Sequence, residues 1–190
     1  MNYLVIYAHP NPKSFNCAVK DEVVAHLRSQ DKEVVVRDLY QLNFNPVLSG
    51  NDFTQFLQGK IPADIQKEQE FIRQADVLIF VYPVWWFHMP AVLKGYIDRI
   101  FSRGFAYDVV DGTIKGLLAG KRVYIINTTG GEQEAYAQFG YQNAIKTSVD
   151  AGIFSFCGMT VALHKYFHAV PTVTDAVRKQ MLAEIKKINF

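Results

Sequence analysis

The 190-residue sequence predicts an α/β fold, a doubly wound five-stranded parallel sheet in the order 2-1-3-4-5 with helices on both faces. Two observations predict it. Apolar runs of strand length alternate with helical patterns along the whole chain. Several of these runs are continuous, without a polar residue at every second place, as expected of strands covered on both faces.

The elements follow in order. Tyr3 to Ala8 is a short apolar strand ending at His9-Pro10, and Pro10 and Pro12 mark a loop. Ser14 is placed to cap a helix from about Phe15 to Arg28, with Ala18, Val19, Val23, Ala25 and Leu27 among its apolar members. Glu33 to Arg37, around Val34-Val35-Val36, is the second strand. Leu39 to Pro62 reads as irregular because Asn, Gly and Pro are scattered through it. Asp64 opens a polar helix to Gln74, and Val77 to Tyr82 is a wholly apolar third strand. Pro90 sits in the first turn of a helix to about Phe101, where proline is tolerated. Lys121 to Asn127 holds the fourth strand, Asn143 to Phe156 a helix, and Met159 to Leu163 the fifth strand. Thr172 and Asp175 have capping-box spacing and open a last helix to about Lys187. With no repeat, low-complexity tract or linker, residues 1–190 read as one domain.

Composition narrows the class. Twenty basic and 18 acidic residues leave a formal charge of +2, which gives no reason to expect nucleic acid or an anionic membrane as partner. The two cysteines, Cys17 and Cys157, make no disulfide framework and fit a reduced cytoplasmic protein. Val77 to Leu93 carries no charge, but Pro83 and Pro90 interrupt it, so it reads as a buried strand and loop and not as a membrane span. The five histidines, at 9, 26, 88, 164 and 168, show no zinc spacing, and there is neither a Walker A, a G-x-G-x-x-G nor a G-x-S-x-G motif. No metal site is expected.

In a sheet of this order ligands bind beyond the carboxyl ends of the strands, near the switch in strand order. Three loops should converge there. His9 to Asn16 enters a helix, whose free N–H groups, with Ser14 and His9, could hold a phosphate; a proline-rich turn with a serine cap is the plainer reading. Pro83-Val84-Trp85-Trp86-Phe87 contains both tryptophans of the chain and offers walls for a flat aromatic ligand, or else core or dimer contacts. Thr128-Thr129-Gly130-Gly131 would let a ligand approach the main chain closely, with Tyr136 in reach, or is a simple glycine turn. Cys157, on an apolar stretch, reads as a buried structural thiol.

At these loops the sequence resembles the NAD(P)H:quinone oxidoreductase family, which includes DT-diaphorase, and the small bacterial flavoproteins that assist glutathione-gated potassium efflux. The resemblance covers nearly the whole chain. It rests on Ala8-His9-Pro10, Ser14-Phe15-Asn16, Asp38-Leu39-Tyr40, Asn43-Phe44-Asn45-Pro46, Pro83 with Trp86-Phe87, Pro90-Ala91, Phe105-Ala106-Tyr107, Thr128-Thr129-Gly130-Gly131, Tyr136 and Phe156-Cys157-Gly158.

The resemblance implies a flavodoxin-like fold and a flavin, FMN or alternatively FAD, with NADH or NADPH as hydride donor and a quinone or similar electrophile as acceptor. It implies that His9, Ser14, Phe15 and Asn16 hold the phosphate side and Pro83, Val84, Trp85, Trp86 and Phe87 line the isoalloxazine. Thr128, Thr129, Gly130 and Gly131 would contact its pyrimidine edge. Tyr136 matches the family's catalytic tyrosine near flavin O2. Phe15, Asn16 and Gln69 match positions that contact adenosine in FAD-binding relatives. Gln142, beside Tyr141, stands where the long family members have a histidine. Phe105, Tyr107, Tyr141 and Gln142 are the expected substrate pocket, the first two offered from the second subunit of a homodimer. One shared ring face implies ping-pong kinetics. Two other functions stay open at this point. One is an ancillary subunit of a potassium-efflux transporter, cytoplasmic but peripheral to the inner face of the membrane. The other is a flavodoxin-type electron carrier, although such carriers are typically acidic and this chain is slightly basic.

Overall fold

A computed structural model describes residues 1–190. Along the chain run β1 (Asn2–Tyr7), α1 (Phe15–Arg28), β2 (Glu33–Asp38), α2 (Gly50–Leu57), α3 (Ala63–Gln74), β3 (Val77–Pro83) and α4 (Ala91–Ile100). A hairpin of β4 (Tyr107–Val110) and β5 (Thr113–Gly116) follows, then β6 (Arg122–Thr128), α5 (Gln133–Gln138) and α6 (Tyr141–Lys146). A π-helical segment (Thr147–Ser155), β7 (Thr160–Phe167) and α7 (Asp175–Ile185) complete the chain.

The main sheet has the order β2-β1-β3-β6-β7, all pairs parallel, which is the predicted order 2-1-3-4-5 counted over the sheet strands. Its two faces explain the continuous apolar runs. Leu78, Phe80 and Tyr82 pack with Leu4, Ile6 and Ile125 under the face that carries α3 and α4. Val77, Ile79 and Val81 pack with Val5, Tyr7 and Ile126 under α1 and α7. Every residue of β3 is buried, so neither parity needs to be polar.

The structure corrects several boundaries. Leu39 to Pro62 is not wholly irregular: Ser49 and Asp52 form a reciprocal capping box that opens α2. Asp111-Gly112, both at positive φ, turn the β4–β5 hairpin. The helix expected over Asn143 to Phe156 begins at Tyr141 and widens into the π-helical segment. β7 runs four residues beyond Leu163, to Phe167. The last helix is capped by Thr174, whose hydroxyl accepts the Val177 N–H, while the Thr172 hydroxyl donates to the Ala169 carbonyl instead. No helix is long and apolar enough to cross a membrane.

Candidate functional site

β1 lies between β2 and β3, so the loops leaving β1 and β3 pass to opposite sides of the sheet and a crevice opens beyond their carboxyl ends. Backbone bonds tie the loops at this edge. The Val84 N–H donates to the Thr128 carbonyl (2.8 Å), the Thr129 N–H to Phe167 (2.9 Å), and the Ala169 N–H to Gly131 (2.9 Å). The Ala8 N–H, at the start of the first loop, donates to the Val81 carbonyl (3.1 Å), so the sheet holds the three predicted loops at one edge.

The first loop ends on α1. The Ser14 hydroxyl accepts the Cys17 N–H (3.1 Å) and touches the Tyr7 hydroxyl (3.3 Å), so it acts as the helix cap. The amides of Phe15 and Asn16, in the first turn, find no backbone acceptor. His9 Nδ1 accepts the Asn11 N–H (3.0 Å), which leaves Nε2 as the protonated nitrogen of a neutral ring. Burial favours that neutral form by lowering its pKa. The His9 ring packs on Trp85, with 5.7 Å between centroids. Asn16 is turned inward: its Nδ2 donates to Thr128 Oγ1 (2.7 Å), and its buried Oδ1 has no donor.

The second loop is a tight turn. The Trp85 N–H donates to the His88 carbonyl (2.9 Å) and the His88 N–H to Trp85 (3.0 Å). Its two central residues, Trp86 and Phe87, have φ of 48° and 58°. Glycine and asparagine are the residues that take such positions cheaply, so this turn stores strain at the sheet edge. The Trp86 ring is 95% exposed, and the Trp86 and Phe87 amides have no backbone acceptor. Phe87 lies against Tyr141 at 4.0 Å.

The third loop also presents open donors, the amides of Gly130 and Gly131. A Cβ on Gly130 would meet nothing within 4 Å, whereas one on Gly131 would come within 3.1 Å of the Tyr136 ring. Tyr136 is buried on α5 among Phe87, Tyr141 and His168, and its hydroxyl has no partner in the chain. Burial, with Tyr141 nearby, raises its pKa, so it stays a phenol and a donor. Donors from two loops and a phenol thus surround an aromatic shelf.

The family model of the flavodoxin-like fold matches residues 1–188. An uncharacterized NAD(P)H oxidoreductase of Haemophilus influenzae is 39% identical over 183 residues, covering 96% of this chain and 91% of its own. The chain belongs to the flavodoxin-fold NAD(P)H:quinone oxidoreductase family. Within that family, the human ribosyldihydronicotinamide dehydrogenase [quinone] is 34% identical over 200 residues, 95% of this chain and 87% of that one. The solved NAD(P)H:quinone oxidoreductase of Methanothermobacter marburgensis superposes with a TM-score of 0.86 at 27% identity, over 98% and 94% of the two chains.

Not every residue expected from the family comes to this edge. α4 spans about 15 Å and carries the chain back to the amino ends of the strands. Phe105 lies there under the Arg73 guanidinium (5.4 Å), and Tyr107 against Phe156 (5.3 Å), just before β7 begins. Neither walls the crevice of its own chain. Gln69 is fully buried, its Nε2 donating to the Ile100 carbonyl and the Ser102 hydroxyl, while its Oε1 has no donor. Tyr141 joins the aromatic cluster, and Gln142 lines a cavity of about 370 Å³ beside it. His168, which sequence reasoning passed over, stands against Tyr136 at 5.3 Å. The signal that could have found it is the spacing of His164, Tyr166 and His168, one parity of a strand.

Proposed function

We propose that the protein is a flavin-dependent NAD(P)H oxidoreductase that reduces quinones or similar electrophiles by two electrons in a ping-pong cycle. The observation that carries this reading is the set of unpaired amides at Trp86, Phe87, Gly130 and Gly131 around an aromatic shelf. A flat ring with polar edges fits them. The crevice also suits the rest of a flavin. The Phe15 and Asn16 amides at the start of α1 would meet its phosphate. The orphaned Asn16 Oδ1 is an acceptor that a hydroxyl-bearing tail would satisfy.

A bound flavin would supply the hydride chemistry between NADH or NADPH and the electrophile. The chain supplies position and charge. Pro83 to Phe87 form the wall on which the ring lies. The Gly130 and Gly131 amides and the Tyr136 phenol are preorganised donors for the negative charge that arrives with hydride. Phe87 and Tyr141 exclude water on the side of α6.

We take the flavin to be FMN, whose single phosphate suits the Phe15 and Asn16 amides at the start of α1. We take the working form to be a homodimer. A cavity of about 720 Å³ between α2 and the β4–β5 hairpin borders Tyr107, with Phe53 and Leu57 exposed beside it, so a second copy seated there would cover apolar surface. Both cysteines are free thiols, which suits the cytoplasm. The test is to release the chromophore, weigh it, and assay NADH and NADPH against a panel of quinones. Protein that stays colourless after incubation with FMN and with FAD overturns the proposal.

A further inference from the structure

β7 and the residue after it place His164, Tyr166 and His168 on one face. Their rings stack in a row, His164 on Tyr166 at 4.4 Å and Tyr166 on His168 at 5.6 Å, each pair 11° from parallel. The far end of the row is anchored. His164 bonds Asp150 Oδ1 through Nδ1 (2.6 Å) and Asn127 Oδ1 through Nε2 (2.7 Å). Asn127 is itself fixed by donating Nδ2 to the Tyr82 carbonyl (3.1 Å).

The near end reveals where the proton of His168 lies. The Thr129 hydroxyl donates to the Gly131 carbonyl (2.7 Å), which uses its single hydrogen. Its 3.0 Å contact with His168 Nδ1 must then be donated by the ring. In the neutral ring Nε2 is left with a bare lone pair, and no group of the chain donates to it. His168 is half-buried, stands edge-on to Tyr136, and lines the 370 Å³ cavity with Gln133, Gln142, His164, Tyr166 and Lys165, whose ammonium is paired with Glu184 (2.6 Å).

We infer that His168 is the base that takes up a proton at Nε2 to balance the negative charge that hydride brings to the site. The inference rests on the flavin reading above. NAD(P)H gives up a hydride and leaves as NAD(P)⁺, and His168 binds one proton from solvent. When hydride passes to the quinone, His168 returns its proton to solvent and the quinone oxygen takes one up, so the cycle closes as NAD(P)H + H⁺ + quinone → NAD(P)⁺ + hydroquinone. The charged ring would stand 3.0 Å from Thr129, whose loop carries the Gly130 and Gly131 donors. His168 is a positioning residue, acting on the site through Tyr136 and Thr129.

Several groups on other elements face it. Tyr136 and Glu134 stand on α5, Tyr141 on α6 behind Tyr136, and Tyr166 lies between it and the His164–Asp150 pair. Burial lowers the pKa of His168 below that of an ordinary histidine, against the pull of Glu134 and of its backbone contact at Gly131. It is therefore neutral before hydride arrives and able to gain a proton after.

The test compares the flavin-loaded protein with His168→Asn, which keeps a donor toward Thr129 and loses the base. Midpoint potentials are followed from about pH 5.5 to 8.5, the range in which a histidine titrates. The parent is expected to take up one more proton per two electrons than the variant over part of this range, a tenfold difference in the reduction equilibrium per pH unit, or about 30 mV. Titration of His9 is common to both proteins and cancels. A second readout uses flavin-free protein: nitrogen NMR should find His168 protonated on Nδ1 and titrating below an ordinary histidine. Coincident potential slopes, or an Nε2–H tautomer, overturn the inference while leaving flavin binding intact. Failure to bind flavin at all overturns the site reading and this inference with it.

Discussion

Trp86 offers the sharpest test of how the site is built. An L-residue in the left-handed region costs about 1–2 kcal/mol, and Trp86 sits there with φ of 48°. Its side chain is 95% exposed, so truncation removes almost no packing. Trp86→Ala keeps the Cβ and hence the strain, and its stability should match the parent. Trp86→Gly removes the strain but frees the unfolded chain, which costs about 0.4–1 kcal/mol. Glycine should therefore exceed alanine by about 0.8 kcal/mol, the difference between the midpoints of those two effects. In a chain of this length that is a rise of about 1–4 °C in melting temperature. The assay is thermal melting of both variants freed of flavin. Binding should move the other way: both variants lose the wall of the shelf, and glycine also loses the fixed direction of the Trp86 and Phe87 amides, so it should hold flavin more weakly than alanine. The reasoning is refuted if glycine melts at or below alanine, because the turn would then hold no strain that a smaller residue could release.

Three further outcomes are expected. Tyr136→Phe should slow reduction by NAD(P)H about fivefold in stopped flow, the equivalent of one hydrogen bond of about 1 kcal/mol, and a rate equal to the parent removes Tyr136 from the chemistry. Gly130→Val should leave the stability of flavin-free protein within about 0.5 kcal/mol, since its Cβ meets nothing, yet empty the site of flavin; full occupancy counts against the shelf. Asp52 resists its own burial through hydrogen bonds from Arg99 and Ser49, which hold its pKa below the usual carboxylate range. Its contribution to stability is full above its unfolded value near 4 and fades as pH falls through the lower folded value, so Arg99→Met, which strands that carboxylate, should cost about 3–5 kcal/mol at neutral pH and less near pH 3. A deficit that does not shrink in acid would show that Asp52 is not the stranded group.

The sheet was legible because its strands announce themselves locally. Val77 to Tyr82 is apolar at every position, and its neighbours are strands on both sides and helices on both faces. The misses have local causes as well. Ser49-Gly50-Asn51-Asp52 looks like a loop by composition, yet Ser49 and Asp52 cap α2, and Asp52 is held by Arg99 from a helix 47 residues away. β7 continues past Leu163 through His164 and Lys165, which weaken an apolar pattern. His164 is bonded by Asp150 and Asn127, and Lys165 by Glu184, partners that periodicity cannot see. Asp111-Gly112 is a hairpin signal, but the strands it joins bury no apolar stripe: Val109, Val110 and Ile114 are exposed.

The same contrast separates the parts of the site. Composition could place Trp85, Trp86 and Phe87 in a loop after a strand, but not show that two of them occupy a turn suited to glycine. That conformation aims two amides outward without intramolecular partners, and Gly130 and Gly131 do the same one strand away. An isolated peptide would relax the turn and solvate the donors. Here the Val84–Thr128 and Thr129–Phe167 bonds hold the loop ends to the sheet, so the donors are directed before any ligand arrives. Binding need not then bear the cost of organising them, and charge arriving at the crevice meets dipoles already in place. Strain in the turn and unpaired donors are thus two consequences of one arrangement, and releasing the first should weaken the second.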